Sequence, residues 1–224
     1  TPCGTLFPYT TLFRSVVYYD TYVRAEALLD YVERMRAHYH VDVTHCLVYA
    51  VVVGLRANPK MNRFIAGQRM YQRNHDAETF SMKRRKLDKE AKISAVKLVV
   101  EQDEDFEDVC RRVNEQIGVE RPDRVTHTDK EIGFFARLPR PLMRWAMGVV
   151  RWADYHNLVP RSWIDGDGFY TSVFVANLGS LGMDPGYHHL YEYGTCPLFM
   201  MVGKIEERPV VEHGQLAVGK VMHV

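Results

Sequence analysis

The chain has 224 residues, 46% of them hydrophobic and 25% charged, values that suit one globular domain and exclude wholesale disorder. Lysine and arginine number 29 against 28 acidic residues, and the resulting formal net charge of +1 gives no electrostatic case for a nucleic-acid partner. The four cysteines, Cys3, Cys46, Cys110 and Cys196, lie far apart with no Cys-x-x-Cys pair, so neither a zinc site nor a disulfide framework is indicated and a reduced, cytoplasmic setting fits.

Residues 1–15 resemble a translated sequencing adapter and are set aside from fold reasoning, the other reading being a flexible N-terminal arm. Residues 16–23 are rich in strand formers and predict the first strand. Leu28, Tyr31, Val32, Met35 and Tyr39 then recur at helical spacing, with Glu26, Asp30, Glu33, Arg34 and Arg36 opposite, which predicts a helix with one buried face. Asp42 and Thr44 are N-cap candidates for a second helix through Leu55, apolar nearly all round and so expected to be buried centrally. Val51, Val52 and Val53 alone would suit a strand, and the apolar run 46–55 is well short of the ~18 to 20 residues of a membrane span. Asn58-Pro59 ends that helix, because the residue before proline is driven out of the α region. Residues 63–67 and 69–71 read as a short hairpin.

Residues 77–83 and 92–100 predict two further strands, joined by a basic connection, 84–90, that is either a solvated tip or a surface facing an anionic ligand. Asp105 caps a helix in which Phe106, Val109, Cys110, Val113 and Ile117 share one face, placing Cys110 in the core rather than in a nucleophilic role. Residues 119–129 are polar and irregular. Pro139 and Pro141 start another helix. Its arginines Arg140, Arg144 and Arg151 form a stripe, and Leu142, Met143, Trp145, Met147, Val149, Val150 and Trp152 give a wide apolar face. Such a face must be buried against the domain's own core, a neighbouring subunit or, through residues 140–152, a membrane surface. Ile164-Asp165-Gly166-Asp167-Gly168 reads as a turn, since the other ligands of a calcium loop are absent.

Residues 170–176 alternate as a half-buried strand and break at Asn177-Leu178-Gly179-Ser180-Leu181-Gly182. A polar loop with His188 and His189 leads to a second apolar strand, 198–202, ending at Gly203. Adjacent histidines on an extended loop are expected to point to opposite sides, so no shared metal is predicted for them, and His45 is expected to be a satisfied core residue.

This succession of strand, Asn-Leu-Gly-Ser-Leu-Gly, loop and Val202-Gly203-Lys204-Ile205, continuing to Pro209-Val210-Val211 and Gly214, with Asn58-Pro59-Lys60-Met61-Asn62 upstream, resembles the catalytic domain of 2-oxoacid dehydrogenase E2 acyltransferases. The likeness runs over residues 16–224. It implies an α/β fold, an α+β two-layer sandwich of the chloramphenicol-acetyltransferase type, assembled as a homotrimer in which acyl and coenzyme A channels meet between subunits. It also implies acyl transfer between a dihydrolipoyl thiol and coenzyme A, whose phosphates would suit the basic 84–90 connection, and possible association with dehydrogenase-complex subunits. In the family, a histidine from a C-terminal His-x-x-x-Asp-Gly motif is the general base, and a Ser or Thr before the Asn-Leu-Gly turn donates to the oxyanion.

No His-x-x-x-Asp-Gly occurs in the 224 residues, so the domain is expected to lack its last strand and helix. The position before Asn177 is Ala176, so the hydroxyl is missing as well. The divergent, stand-alone E2-like branch that shares the Leu-Pro-Arg, Arg-Trp and Ile-Asp-Gly-Asp sequences often replaces the motif histidine. Asn177, Ser180 and His189 are the remaining candidate site residues. Two functions follow: a coenzyme A-dependent acyltransferase, or a catalytically inactive scaffold or oligomerisation module of the same fold.

Overall fold

The computed structural model describes residues 16–67, 69–83, 93–120, 139–191 and 194–224. The expectations for residues 1–15, the basic connection 84–90 and most of the polar stretch 119–129 fall outside them.

The centre is a four-stranded mixed sheet in the order β5-β4-β6-β7, built from β4 (Asp76–Lys83), β5 (Ile93–Val100), β6 (Val173–Asn177) and β7 (Leu198–Val202). β4 and β5 form an antiparallel pair, whereas β6 runs parallel to both β4 and β7. A strand between two parallel neighbours is covered on both faces. Val173, Phe174, Val175 and Ala176 are accordingly all buried, where their alternation had suggested a half-buried strand.

Three helices cover one face. α1 (Glu26–Met35), α2 (Val43–Ala57) and α3 (Phe106–Glu120) pack so that Val48, Val52, Leu55, Val109 and Val113 meet Phe80, Val96, Leu98, Val173, Val175 and Val202 in one core. α2 starts as its sequence predicts. Asp42 accepts from the amides of Thr44 and His45, and the His45 ring returns a bond to the Asp42 backbone, closing a capping box. One face of α2 is buried and Val53 is 47% exposed, so the all-round apolar pattern does not make it central. α1 ends before Tyr39, whose ring nevertheless packs with Met35 against a satellite cluster of Val32, Val41 and Cys110.

A second, three-stranded sheet in the order β1-β9-β8 comprises β1 (Tyr22–Arg24), β8 (Ile205–Glu212) and β9 (Gln215–His223), all antiparallel. Strand propensity extended β1 back to residue 16, but the strand covers only Tyr22 to Arg24, opposite Val221 to His223 on β9, with Thr21 exchanging two backbone bonds with Val224. Strand formers without a pairing edge stay irregular. The predicted hairpin is present as β2 (Arg63–Ala66) and β3 (Arg69–Gln72).

α4 (Arg140–Tyr155) starts at the expected prolines, and α5 (Arg161–Gly166) follows in place of the turn expected at residues 164–168. No residue of α4 is fully buried: of its apolar face Met143, Met147 and Val150 are half-buried, while Leu142, Trp145, Val149 and Trp152 are exposed, so the described residues of the domain cover only part of it.

Candidate functional site

The sheet face away from α1, α2 and α3 carries different chemistry. Side chains alternate along a strand, so with Val173 and Val175 turned to the core, Phe174 and Ala176 face the other way. Pairing sets two rows across this face. Ser81, Ala176 and Met201 stand level on β4, β6 and β7, and Thr79, Phe174 and Phe199 stand level one step back, flanked by Lys97 on β5. The α5 exit closes one end: the Lys97 ammonium donates to the carbonyls of Ile164 (2.6 Å) and Asp167 (3.2 Å), and Thr79 Oγ1 donates to Gly168 O (2.8 Å). Burial, helped by the charge of Arg73, brings Lys97 down to about 8. Arg73 is committed elsewhere, to Thr171 O and Thr195 Oγ1.

At the other end β6 leaves the sheet through the 3₁₀ turn Leu178–Leu181. Asn177 organises it: its side-chain oxygen accepts from Ser180 N (3.2 Å), its amide donates to Thr44 Oγ1 on α2 (3.0 Å), and Ser180 Oγ donates to Asn177 O (2.8 Å). Two of the three residues singled out from sequence therefore lie together, with their polar atoms tied into the turn. The glycines are explained by contact. A Cβ on Gly179 would lie 2.3 Å from Gly203 O, and one on Gly203 2.2 Å from Pro185 Cδ. Gly203 N also donates to His223 O (2.9 Å), joining the turn, the β7–β8 junction and the end of β9.

The histidines depart from expectation. Their rings stack, 5.0 Å apart and 9° from parallel, rather than pointing to opposite sides. The cause is Phe199: His188 lies flat on it at 4.7 Å, with Tyr191 alongside at 5.2 Å. His188 Nδ1 donates to His189 O, so in the neutral ring Nε2 is the acceptor. His188 and not His189 lines a cavity of about 400 Å³, bordered also by Tyr18, Tyr187, Phe199, Met201 and Val224. That volume is in the range of small-molecule sites. Two juxtapositions on this face could not be read from sequence: Ser81 beside Ala176, which only the β4–β6 register supplies, and Phe199 beneath His188, which only the fold supplies.

The remaining titratable candidates are structural. His45 is fully buried between Asp42 and Asn114, as expected. Burial opposes ionisation of Asp42, yet the hydrogen bond and charge of His45 and two backbone amides hold it down to about 2. Burial pushes the Cys46 and Cys196 thiols to about 11 and Cys110 to about 12, which leaves none of them a thiolate at neutral pH. Among the described residues no group of three His, Cys, Asp or Glu side chains is placed to hold a metal ion.

No protein-family model matches the chain, and no curated protein does. Solved structures do match. A probable dihydrolipoamide acetyltransferase from Listeria monocytogenes 4b F2365 superposes with a TM-score of 0.59 over 92% of this chain and 72% of its own, at 13% identity. The cubic core of a pyruvate dehydrogenase multienzyme complex does so with a TM-score of 0.58 over 92% of this chain and 70% of its own, at 11% identity. The same values hold for a dihydrolipoamide acetyltransferase of Azotobacter vinelandii, whose catalytic mechanism was investigated at a serine, a histidine and an asparagine. The chain thus has the fold of E2 acyltransferase catalytic cores, the α/β class expected from its sequence.

Proposed function

We propose that the chain is a coenzyme A-dependent acyltransferase related to the E2 component of 2-oxoacid dehydrogenase complexes, acting on the outer face of the four-stranded sheet as part of a homotrimer. The observation that carries the reading is the E2-core fold with the Asn177 turn set at the end of the central strand, where β7 borders a cavity. In this reading a thiol, free or on a lipoyl carrier, attacks the carbonyl carbon of an acyl thioester. A carbon–sulfur bond forms, negative charge develops on the carbonyl oxygen, and the bond to the departing sulfur breaks. The departing thiolate recovers the proton lost by the attacking thiol.

The acceptor nitrogen of His188 is the base we assign to that proton, since its other nitrogen is already bonded to a carbonyl. Ser81 supplies the oxyanion donor in place of the hydroxyl lost at Ala176: the register sets the two residues side by side, and the Ser81 hydroxyl bonds to no described residue. The described cations Lys97 and Arg73 are tied to backbone carbonyls and do not serve coenzyme A phosphates.

The test is acetyl transfer from acetyl-coenzyme A to dihydrolipoamide by the purified chain, with sedimentation to establish the oligomer. Ser81→Ala should lower kcat/KM by roughly a hundred- to a thousandfold with coenzyme A affinity unchanged, as expected for loss of an oxyanion donor. Ala176→Ser should restore much of it. A second reading, an inactive scaffold of the same fold, is favoured by Ala176 itself. It is the conclusion if the folded protein transfers nothing, Ala176→Ser included, and binds no coenzyme A.

A further inference from the structure

We propose that α4 and α5 form a docking surface for an anionic lipid bilayer. The chain has three tryptophans, Trp145, Trp152 and Trp163, and all lie on these two helices, 68%, 58% and 49% exposed. Leu142, Trp145, Val149 and Trp152 recur at i, i+3, i+7 and i+10, forming one continuous exposed stripe on α4, and Leu158 adds to the exposed apolar surface between the helices. Indoles at an exposed apolar stripe are expensive in water and suit the headgroup boundary of a bilayer.

The exposed charge of α4 is of one sign, and the exposed charges of α5, Arg161 and Asp165, pair with each other at 3.5 Å. Arg140, Arg144 and Arg151 form a second stripe, roughly 140° round the helix from the first at about 3.6 residues per turn, all exposed, and none pairs with a described acid. The single acidic residue of α4, Asp154, accepts a hydrogen bond from Tyr170 (2.7 Å) on the side facing the body. An arginine stripe without acidic partners complements a layer of anionic headgroups. A second copy meeting the same face about a two-fold axis would set these arginines against one another.

The surface is formed in advance of binding. Met143, Met147 and Val150 lie on a different side of α4 from the exposed stripe and are half-buried. The C-terminal end is fixed where Gly67 closes on the carbonyl of Tyr155 and Asn157 Nδ2 donates to Tyr71 (3.1 Å). At 16 residues the helix is about 24 Å long. No helix among the described residues is long and apolar enough to cross a bilayer, so the surface lies on the membrane rather than through it.

The proposal does not depend on acyl transfer. The whole chain is mixed with vesicles of phosphatidylcholine alone or of equimolar phosphatidylcholine and phosphatidylglycerol, and binding is read by co-sedimentation and by intrinsic fluorescence, to which only this surface contributes tryptophan. Sedimentation with the anionic vesicles and a blue shift, both reduced by salt, are expected. Arg140→Gln, Arg144→Gln and Arg151→Gln together should weaken binding about 100-fold, from the attraction typical of one arginine near an anionic surface taken three times. Trp145→Ala with Trp152→Ala should weaken it without removing its salt dependence; all five side chains are exposed, so circular dichroism should be unchanged. The proposal is overturned if anionic vesicles fail to sediment the folded protein at low salt. It is equally overturned if the tryptophans are shielded from an aqueous quencher without lipid, in proportion to protein concentration, since a second copy then covers the face.

Discussion

Toward α2 and α3, the four-stranded sheet presents Phe80, Val96, Leu98, Val173, Val175 and Val202, each at most 5% exposed and in one apolar core. Its other side, built from the same strands, presents Thr79, Ser81, Lys97, Phe174, Ala176, Phe199 and Met201, with the α5 exit and the loop that carries His188 against it. Alternation of side chains lets each strand serve both: the helix side packs apolar side chains, while the outer side mixes polar and aromatic ones. One residue violates the division. Glu78 sits on the core side, fully buried, with neither carboxylate oxygen hydrogen-bonded. Burial, reinforced by the charge of Asp76, raises its pKa well above the ordinary value.

The largest effect should come from the core side. Phe80→Ala is expected to lower unfolding stability by about 3 to 5 kcal/mol, the range for emptying a buried aromatic site, measured by urea denaturation. A loss no larger than that of a surface change would break the contrast between the faces.

Removing the exception should have the opposite sign. Glu78→Met is expected to stabilise by about 1 to 3 kcal/mol, the usual cost of an unpaired buried polar group. A carboxyl whose pKa is raised on folding is fully compatible with the fold below its unfolded value and penalises it as pH rises toward the folded value. The advantage of Glu78→Met in melting temperature should therefore grow from pH 4.5 upward; a constant advantage would mean the carboxyl does not titrate in that interval.

On the outer face Lys97 makes a smaller test. Its folded value of about 8 lies below the ordinary 10.5, so the unfolded chain holds the proton more tightly and stability should rise between those pH values. Lys97→Met should abolish roughly 1 to 2 kcal/mol of that rise relative to the parent protein. The smallest effect concerns the helix that seals the core side. Asp42→Ala should cost about 1 kcal/mol at neutral pH by removing the N-cap of α2. Because Asp42 is depressed from 3.8 to about 2, its contribution is present above the upper value and lost as pH falls toward the lower, so parent and variant should converge in that interval.

The local order of the chain was legible because its signals are local. Asp42 capping α2, Asn58-Pro59 stopping it, the face of α3 and the proline start of α4 all depend on residues within a few positions of one another. The turn at Asn177 and the short strand to Gly203 were legible for the same reason, and with them the resemblance that anticipated the fold. Tertiary structure alone decided which of these faces meet. That β6 is covered on both sides, that Ser81 stands beside Ala176, that Phe199 lies under His188 and that α4 keeps its tryptophans outside all depend on strand order and register, which bring together residues far apart in the chain. Periodicity states that a face is apolar; only the packed neighbours state what covers it.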